Sequence, residues 1–394
     1  MKNLGKVLIV LFIILCLIFL VLKFYRNILN LTPEFVKRSM PDSVVTLHLQ
    51  ITDFLNIKKK GEHFLYNVKF LPETHFAELN FKELSFIQND KTSDDLIFNQ
   101  DDASEKFFID IFDKYIVLST FDGNIFYFSK DRLQLHQSDI SLSQVKTNLK
   151  EYSKLKIIDS FIDTDNLYIS TYEYQDQSLE NKPYCNFRIL HAKLNLEILN
   201  FEEVFINPGC TKGYMQGGRI QKISIDQSHG LLFSLASNDS DKATSAPQDD
   251  TSNLGKIIFL DINTGETEIF SKGHRNPQGL YVKDNLILST EHGPLGGDEI
   301  NKIIRNKNYG WPIASYGKYY FTNEKDYLND HDLHGFVEPI YSYIPAIGIS
   351  EIVEIPEKFF QNDLQNIFFV SSLRGRSLHL VKFDRNYERV IFSE

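Results

Sequence analysis

Between residues 273 and 316 the chain gathers the side chains most able to do chemistry. His274, Arg275, Asn276, Gln278, Glu291, His292, Asp298 and Glu299 alternate with glycines at both ends of one short apolar run, Leu286 to Leu288. A run that short needs no such company for stability. Polar groups crowded around strand ends suit a site that loops deliver and a rigid sheet holds. Glycines let the backbone approach a ligand and let carbonyl oxygens point at a cation.

Other functions are disfavoured by composition. Lys and Arg number 42 against 52 Asp and Glu, so 42 − 52 leaves a net charge of −10. Nucleic acid rewards basic patches, and this balance argues against it. Small ligands and cations remain compatible. With 32 Phe and 19 Tyr and almost no Ala-rich runs, the chain favours strands over helices. At 394 residues it can bury a large core.

At the N-terminus, Val7 to Leu22 is unbroken apolar sequence. As a helix it would extend about 24–30 Å, enough to cross a bilayer. No Ala-x-Ala-like cleavage site follows Leu22, and Cys16 lacks the small neighbours of a lipoprotein site. The expectation is an uncleaved transmembrane anchor over residues 1–26, a linker over 27–44, and an extracytoplasmic domain over 45–394. In a Gram-negative cell that is the periplasmic face of the inner membrane. Cys185 and Cys210 are the remaining cysteines. In an oxidising compartment they can pair, closing a loop of about 25 residues worth roughly 3 kcal/mol. Two unpaired buried thiols are the alternative.

From residue 107 onward one form recurs: a polar turn, four or five apolar β-formers, then Ser or Ser-Thr. It appears at 113–120, 165–172, 229–236, 284–291 and 365–372, and its serines are Ser119, Ser170, Ser234, Ser289 and Ser371. Spacings of about 50 to 80 residues with several short strands per unit fit propeller blades carrying loop insertions. The fold class read from this pattern is an all-β propeller. The acidic stretches near residues 89–106 and 238–253 read as surface loops, and neither has EF-hand spacing.

The blocks RNPQGL (275–280), TEHGPLGGDEIN (290–301) and NYGWP (308–312) closely resemble the PQQ-dependent sugar dehydrogenases, a family that includes glucose, aldose sugar and sorbosone dehydrogenase-like proteins. Weaker matches are GGRI (217–220), SNLGKI (252–257), IPAIGIS (344–350) and SSLRGRSL (371–378). The resemblance implies a six-bladed propeller, its last blade possibly incomplete, with PQQ over the channel held by arginines and calcium. It places Arg275 and Asn276 as the pair facing quinone and substrate, where a guanidinium beside a carbonyl stabilises charge building on oxygen during hydride transfer. Gln278 and His292 would also line the cofactor, and Arg374 and Arg376 would clamp its carboxylates. The carbonyls of Gly293 and Pro294 would bind the catalytic calcium. Glu299 and the Tyr309 backbone, with Asp298 nearby, would bind a structural one.

Two departures qualify the resemblance. The family's general base is a His two residues before a Gly-Gly-Arg turn, and here that position is Met215. The base's carboxylate partner aligns with Ser237. A thioether cannot accept a sugar hydroxyl proton, so standard aldose oxidation should be slow or absent. Relatives also continue past the arginine strand. Either strands before residue 107 close the ring or the sequence is a truncated form.

The function expected is a membrane-anchored quinoprotein oxidoreductase that oxidises a sugar or polyol and passes electrons to an acceptor. The alternative is a non-catalytic, calcium-organised propeller binding a carbohydrate, a PQQ-like ligand or a protein. A calcium-dependent lactonase-type hydrolase is a third possibility by fold analogy.

Overall fold

The computed structural model describes residues 85–88, 107–134, 139–175, 184–211, 217–226, 228–237, 245–319, 327–357, 365–374 and 377–394. Five sheets of four or five strands repeat along these residues as blades. The first comprises β1 (Ser85–Gln88), β2 (Phe107–Phe112), β3 (Tyr115–Thr120), β4 (Ile125–Ser129) and β5 (Asp139–Gln144), with β1 parallel to β5. A short strand, β6 (Lys146–Thr147), leads to the second blade: β7 (Leu155–Asp163), β8 (Asn166–Tyr174), β9 (Tyr184–Lys193) and β11 (Glu202–Thr211). Between the last two, β10 (Ile198–Leu199) pairs with β6. The third blade is β12 (Gly217–Ile225), β13 (Ser228–Leu235), β14 (Lys256–Asp261) and β15 (Thr267–Lys272). The fourth is β16 (Pro277–Lys283), β17 (Leu286–Glu291) and β18 (Asp298–Lys302). It continues past β19 (Lys307–Asn308), which joins β15, to β20 (Tyr341–Tyr343). The fifth is β21 (Ile349–Glu354), β22 (Ile367–Ser372), β23 (Ser377–Phe383) and β24 (Val390–Ser393).

Each repeated serine marks a second strand: Ser119 on β3, Ser170 on β8, Ser234 on β13, Ser289 on β17 and Ser371 on β22. The first four are completely buried. Two of the hydroxyls tie second strands to the inner strand β12: Ser170 Oγ donates to the Gly218 carbonyl at 2.6 Å, and Ser234 Oγ accepts from Arg219 N at 3.2 Å. The pattern is therefore a small polar residue that fits where sheets crowd together. Six blades are corrected to five among the described residues. The sixth came from the resemblance, whereas the repeat itself has five copies. The last sheet holds four strands, so it is not an incomplete blade. The strand-like runs before Ser85 lie outside the described residues, as do the expected anchor and linker. Among the described residues no helix is long and apolar enough to cross a membrane.

Apolar layers fill the spaces between consecutive blades. Ile157, Leu167 and Leu190 pack with Val117 and Ile125, and Phe187 and Ile189 pack with Phe233 and Ile258. Leu232 and Ile257 meet Leu280 and Ile287, and Leu288 and Ile300 meet Ile352 and Phe368. Both faces of these sheets are covered, which explains why the second strands read as continuous apolar runs. Each buried aliphatic or aromatic side chain contributes about 1.5–3 kcal/mol. Cys185 and Cys210 face each other across β9 and β11 and are joined as a disulfide, which resolves the open alternative.

Candidate functional site

The register of the fourth blade gathers one end of it into a site. Pro277 pairs with Glu291, and Glu291 with Glu299, so the start of β16, the end of β17 and the start of β18 lie side by side. Just outside these ends stand Arg275, Asn276, His292 and Gly293. Residues 275–277, 291–293 and 298–299 thus share one end of this blade.

Glu291 is the hub, and it went unassigned in the motif reading. It is buried, and one carboxylate oxygen accepts the Arg275 backbone N–H while the other lies 3.0 Å from His274 Nδ1. His274 Nε2 is 2.8 Å from Ser271 Oγ, and the imidazole stacks on Tyr309 with 4.7 Å between ring centres. With no exposure and both nitrogens engaged, His274 is not placed to replace a missing base. It positions. A glutamate closing an apolar strand, just after Ser289 and Thr290, is the sequence signal that marks it.

Arg275 is buried, and its Nη1 donates to two successive carbonyls, His292 O at 3.0 Å and Gly293 O at 2.9 Å. The guanidinium carbon sits 5.2 Å from the Trp311 ring centre, a cation–π distance. Two successive backbone carbonyls thus accept from this guanidinium. The backbone carbonyl of Asn276 accepts from His292 N at 3.2 Å, and its Oδ1 accepts from Gln278 Nε2 at 2.8 Å. These bonds close a ring of residues 275, 276, 278, 292 and 293. Gly293 is required there, because a Cβ would lie 2.3 Å from both the Gly296 and Gly297 carbonyl oxygens.

Asp298 is almost fully buried and accepts four backbone N–H groups: Gly293 at 3.0 Å, Ile347 at 2.9 Å, Gly348 at 2.7 Å and Ile349 at 3.0 Å. Both oxygens are taken by amides. The carboxylate ties the 293 turn of the fourth blade to the start of the fifth. The same turn reaches the arginine segment, since Arg374 N donates to Ile347 O at 3.0 Å and Leu373 N to Gly348 O at 2.8 Å. Arg374 itself is exposed, and Arg376 lies outside the described residues.

Glu299 is buried beside Glu291. Burial, reinforced by the Glu291 charge, raises its carboxyl well above the ordinary range, while Asn301 Nδ2 at 3.2 Å pulls the other way. The imidazole of His331 lies 3.8 Å from Glu299 and 4.0 Å from Glu338, too far for hydrogen bonds. Burial holds it below the usual histidine range. The Tyr309 hydroxyl donates to Lys302 O at 2.5 Å. Pro294 is buried. Among the described residues no three His, Cys, Asp or Glu side chains are placed to share a metal. A hard cation at this face would rest on backbone oxygens, and the His292 and Gly293 carbonyls already converge on one positive group. Of the two carbonyls expected to hold the catalytic calcium, those of Gly293 and Pro294, the first accepts from Arg275; a carbonyl oxygen is the kind of hard donor such an ion takes.

Ser237 is completely buried, and its N–H donates to Arg275 O at 2.8 Å, which sets the end of β13 beside the site. Met215 lies outside the described residues.

A second cluster joins the inner strands; Arg219 falls in the GGRI match, but its acid partners lie in no motif. Arg219 on β12 pairs with Asp159 on β7 at 3.4 Å and with Glu351 on β21. Ser160 donates to Asp110 on β2. Gly218 makes the approach possible: its φ is +89°, and a Cβ would fall 2.1 Å from Ile158. Burial pushes the Asp159 carboxyl up to about 6, despite Arg219 and the Ile220 N–H bond. Its folded value exceeds the ordinary 3.8, so the folded state holds this proton more tightly. The resulting stability is fully present below pH 3.8 and is lost as pH rises through about 6. A shift of this size corresponds to roughly 3 kcal/mol at most. Asp159→Asn should flatten that share, measured as thermal unfolding between pH 4 and 7; an unchanged profile would contradict the assignment.

A model of the glucose/sorbosone dehydrogenase family matches residues 122–393. An uncharacterized protein of Synechocystis sp. is 31% identical over 223 residues, 50% of this chain and 53% of that one. An aldose sugar dehydrogenase of Escherichia coli is 27% identical over 202 residues, 46% of this chain and 52% of its own. The chain thus spans about half the length of the relatives it matches. Among solved structures, the PQQ-bound aldose sugar dehydrogenase of Streptomyces coelicolor aligns with a TM-score of 0.50 at 19% identity, over 71% of this chain and 77% of that one. At that identity the likeness establishes the fold.

Proposed function

The chain belongs to the glucose/sorbosone dehydrogenase family, and on that premise we propose that it is a PQQ- and calcium-dependent dehydrogenase of an aldose or related polyol. The observation that carries this reading is the convergence of Arg275, Asn276 and the His292 and Gly293 carbonyls at one end of the fourth blade. PQQ, when bound, supplies the electron-accepting quinone, and calcium the Lewis acid that polarises it. Gly293 and Pro294 would offer carbonyl oxygens to the cation; Asp298 enters as the residue that fixes their turn. Arg275 and Asn276 would orient the quinone and substrate oxygens and stabilise negative charge growing there. Arg374 and Arg376 would hold carboxylates, and Glu299 with the Tyr309 backbone a second cation.

At the position that aligns with the family's base the sequence has Met215. Met215 cannot take the hydroxyl proton, and Ser237 cannot orient a histidine as a carboxylate does. We place the protein outside the cytoplasm on an N-terminal anchor, with an acceptor that takes electrons onward. The Cys185–Cys210 disulfide is consistent with an oxidising compartment.

Met215 and buried Ser237 also favour a second reading, a non-catalytic propeller that keeps the cofactor face for binding. Dye reduction separates the two. The full chain with PQQ and calcium should reduce an artificial acceptor slowly when aldoses or polyols are added. Reduction no faster than the sugar-free blank across the whole panel would leave only the binding reading.

A further inference from the structure

We infer that the Arg275 guanidinium is the resident cation of the His292–Gly293 carbonyl pair, and that a divalent ion reaches these oxygens only after the guanidinium leaves. This rests on the reading that the Gly293 carbonyl serves a hard cation.

The geometry is specific. One nitrogen, Nη1, lies 3.0 Å from His292 O and 2.9 Å from Gly293 O. Successive carbonyls do not ordinarily face the same point. Here the turn is forced by Gly293, where a side chain has no room, and by Asp298, which holds the Gly293 N–H at 3.0 Å. Arg275 is buried, and its guanidinium carbon lies over the Trp311 ring, 5.2 Å from the ring centre. Two cations cannot share one oxygen at bonding distance without strong repulsion, and a partly buried setting screens that repulsion poorly. Guanidinium and calcium are therefore competitors for Gly293 O. An anionic ligand carrying carboxylates would draw the arginine outward and release the carbonyls. Calcium and such a ligand would then bind with positive coupling, each raising the other's affinity by the same factor.

The chain has a single tryptophan, and it is the residue under Arg275. Terbium luminescence sensitised by Trp311, displaced by calcium, therefore reads this position without any activity assay. In the absence of quinone, the full chain carrying Arg275→Met should bind calcium at least tenfold more tightly than the natural chain. Arg275→Lys keeps the charge and should stay near the natural value. Circular dichroism checks that each variant is folded. The natural chain provides a second measurement, because millimolar calcium should change Trp311 emission as the guanidinium leaves the ring. Equal calcium affinity in the natural and Arg275→Met chains, or unchanged Trp311 emission in a calcium-saturated natural chain, would overturn the competition. If neither chain binds terbium or calcium, the divalent-cation reading of these carbonyls falls, and this inference with it.

Discussion

Restoring the base should switch the chain on: Met215→His together with Ser237→Asp is expected to raise PQQ-dependent aldose oxidation roughly 10²–10⁴-fold. A positioned general base contributes about that factor, and in the proposed reading a thioether, Met215, stands at the family's base position in the sequence. The carboxylate must come with the histidine. Ser237 is completely buried and its N–H is bonded to Arg275 O, so Asp alone would bring a charge into a buried position. Ser237→Asp by itself should therefore lower stability and leave the rate near the natural value, whereas Met215→His alone should recover part of the rate. Dye-coupled kinetics on the three variants checks this. A double variant no faster than the natural chain would mean that the proton leaves by another route or that no turnover occurs.

Removing Asp298 should be the most damaging single change at the site. Asp298→Ala leaves four amides, the buried one of Ile349 and the part-buried ones of Gly293, Ile347 and Gly348, without their acceptor. An unsatisfied buried donor costs about 1–3 kcal/mol. Even allowing for non-additivity and entering water, a loss on the order of 4 kcal/mol is expected. That is a large share of the roughly 5–15 kcal/mol by which a domain is stable. Asp298→Asn offers a sharper comparison. Its remaining oxygen can serve the three amides of residues 347–349 while its NH₂ faces Gly293 N–H, so about 1–3 kcal/mol should be lost. Urea unfolding of the two variants measures both. Equal losses would show that charge matters more than the count of amides.

Much of the fold was legible because the blade is a repeated object. A second strand enclosed on both faces must be apolar, with a small hydroxyl where strands crowd, and Ser119, Ser170, Ser234 and Ser289 record that requirement. The sixth blade had no such record of its own. The site from 274 to 299 was legible as a set of residue types, because glycine and polar side chains at strand ends are costly unless used. Roles were harder to read. Asp298 and Glu291 look alike as acids in a motif, yet one gathers four amides and the other holds a histidine and the arginine backbone. Which of these an acid does depends on chain segments 16 to 51 residues away. The Arg219–Asp159–Glu351 cluster was invisible for the same reason: its members come from three blades, and no local spacing relates them. His274 was one more polar group of the stretch in sequence; its burial and two hydrogen-bond partners make it a positioning residue.

Absorbance titration tests most directly whether the fourth-blade face holds a quinone cofactor with a cation. The full chain with calcium should shift the PQQ spectrum at micromolar cofactor, with saturation at one equivalent. Arg275→Met should weaken that shift. A spectrum identical to free PQQ across the titration, with calcium present and the protein folded, would contradict the account.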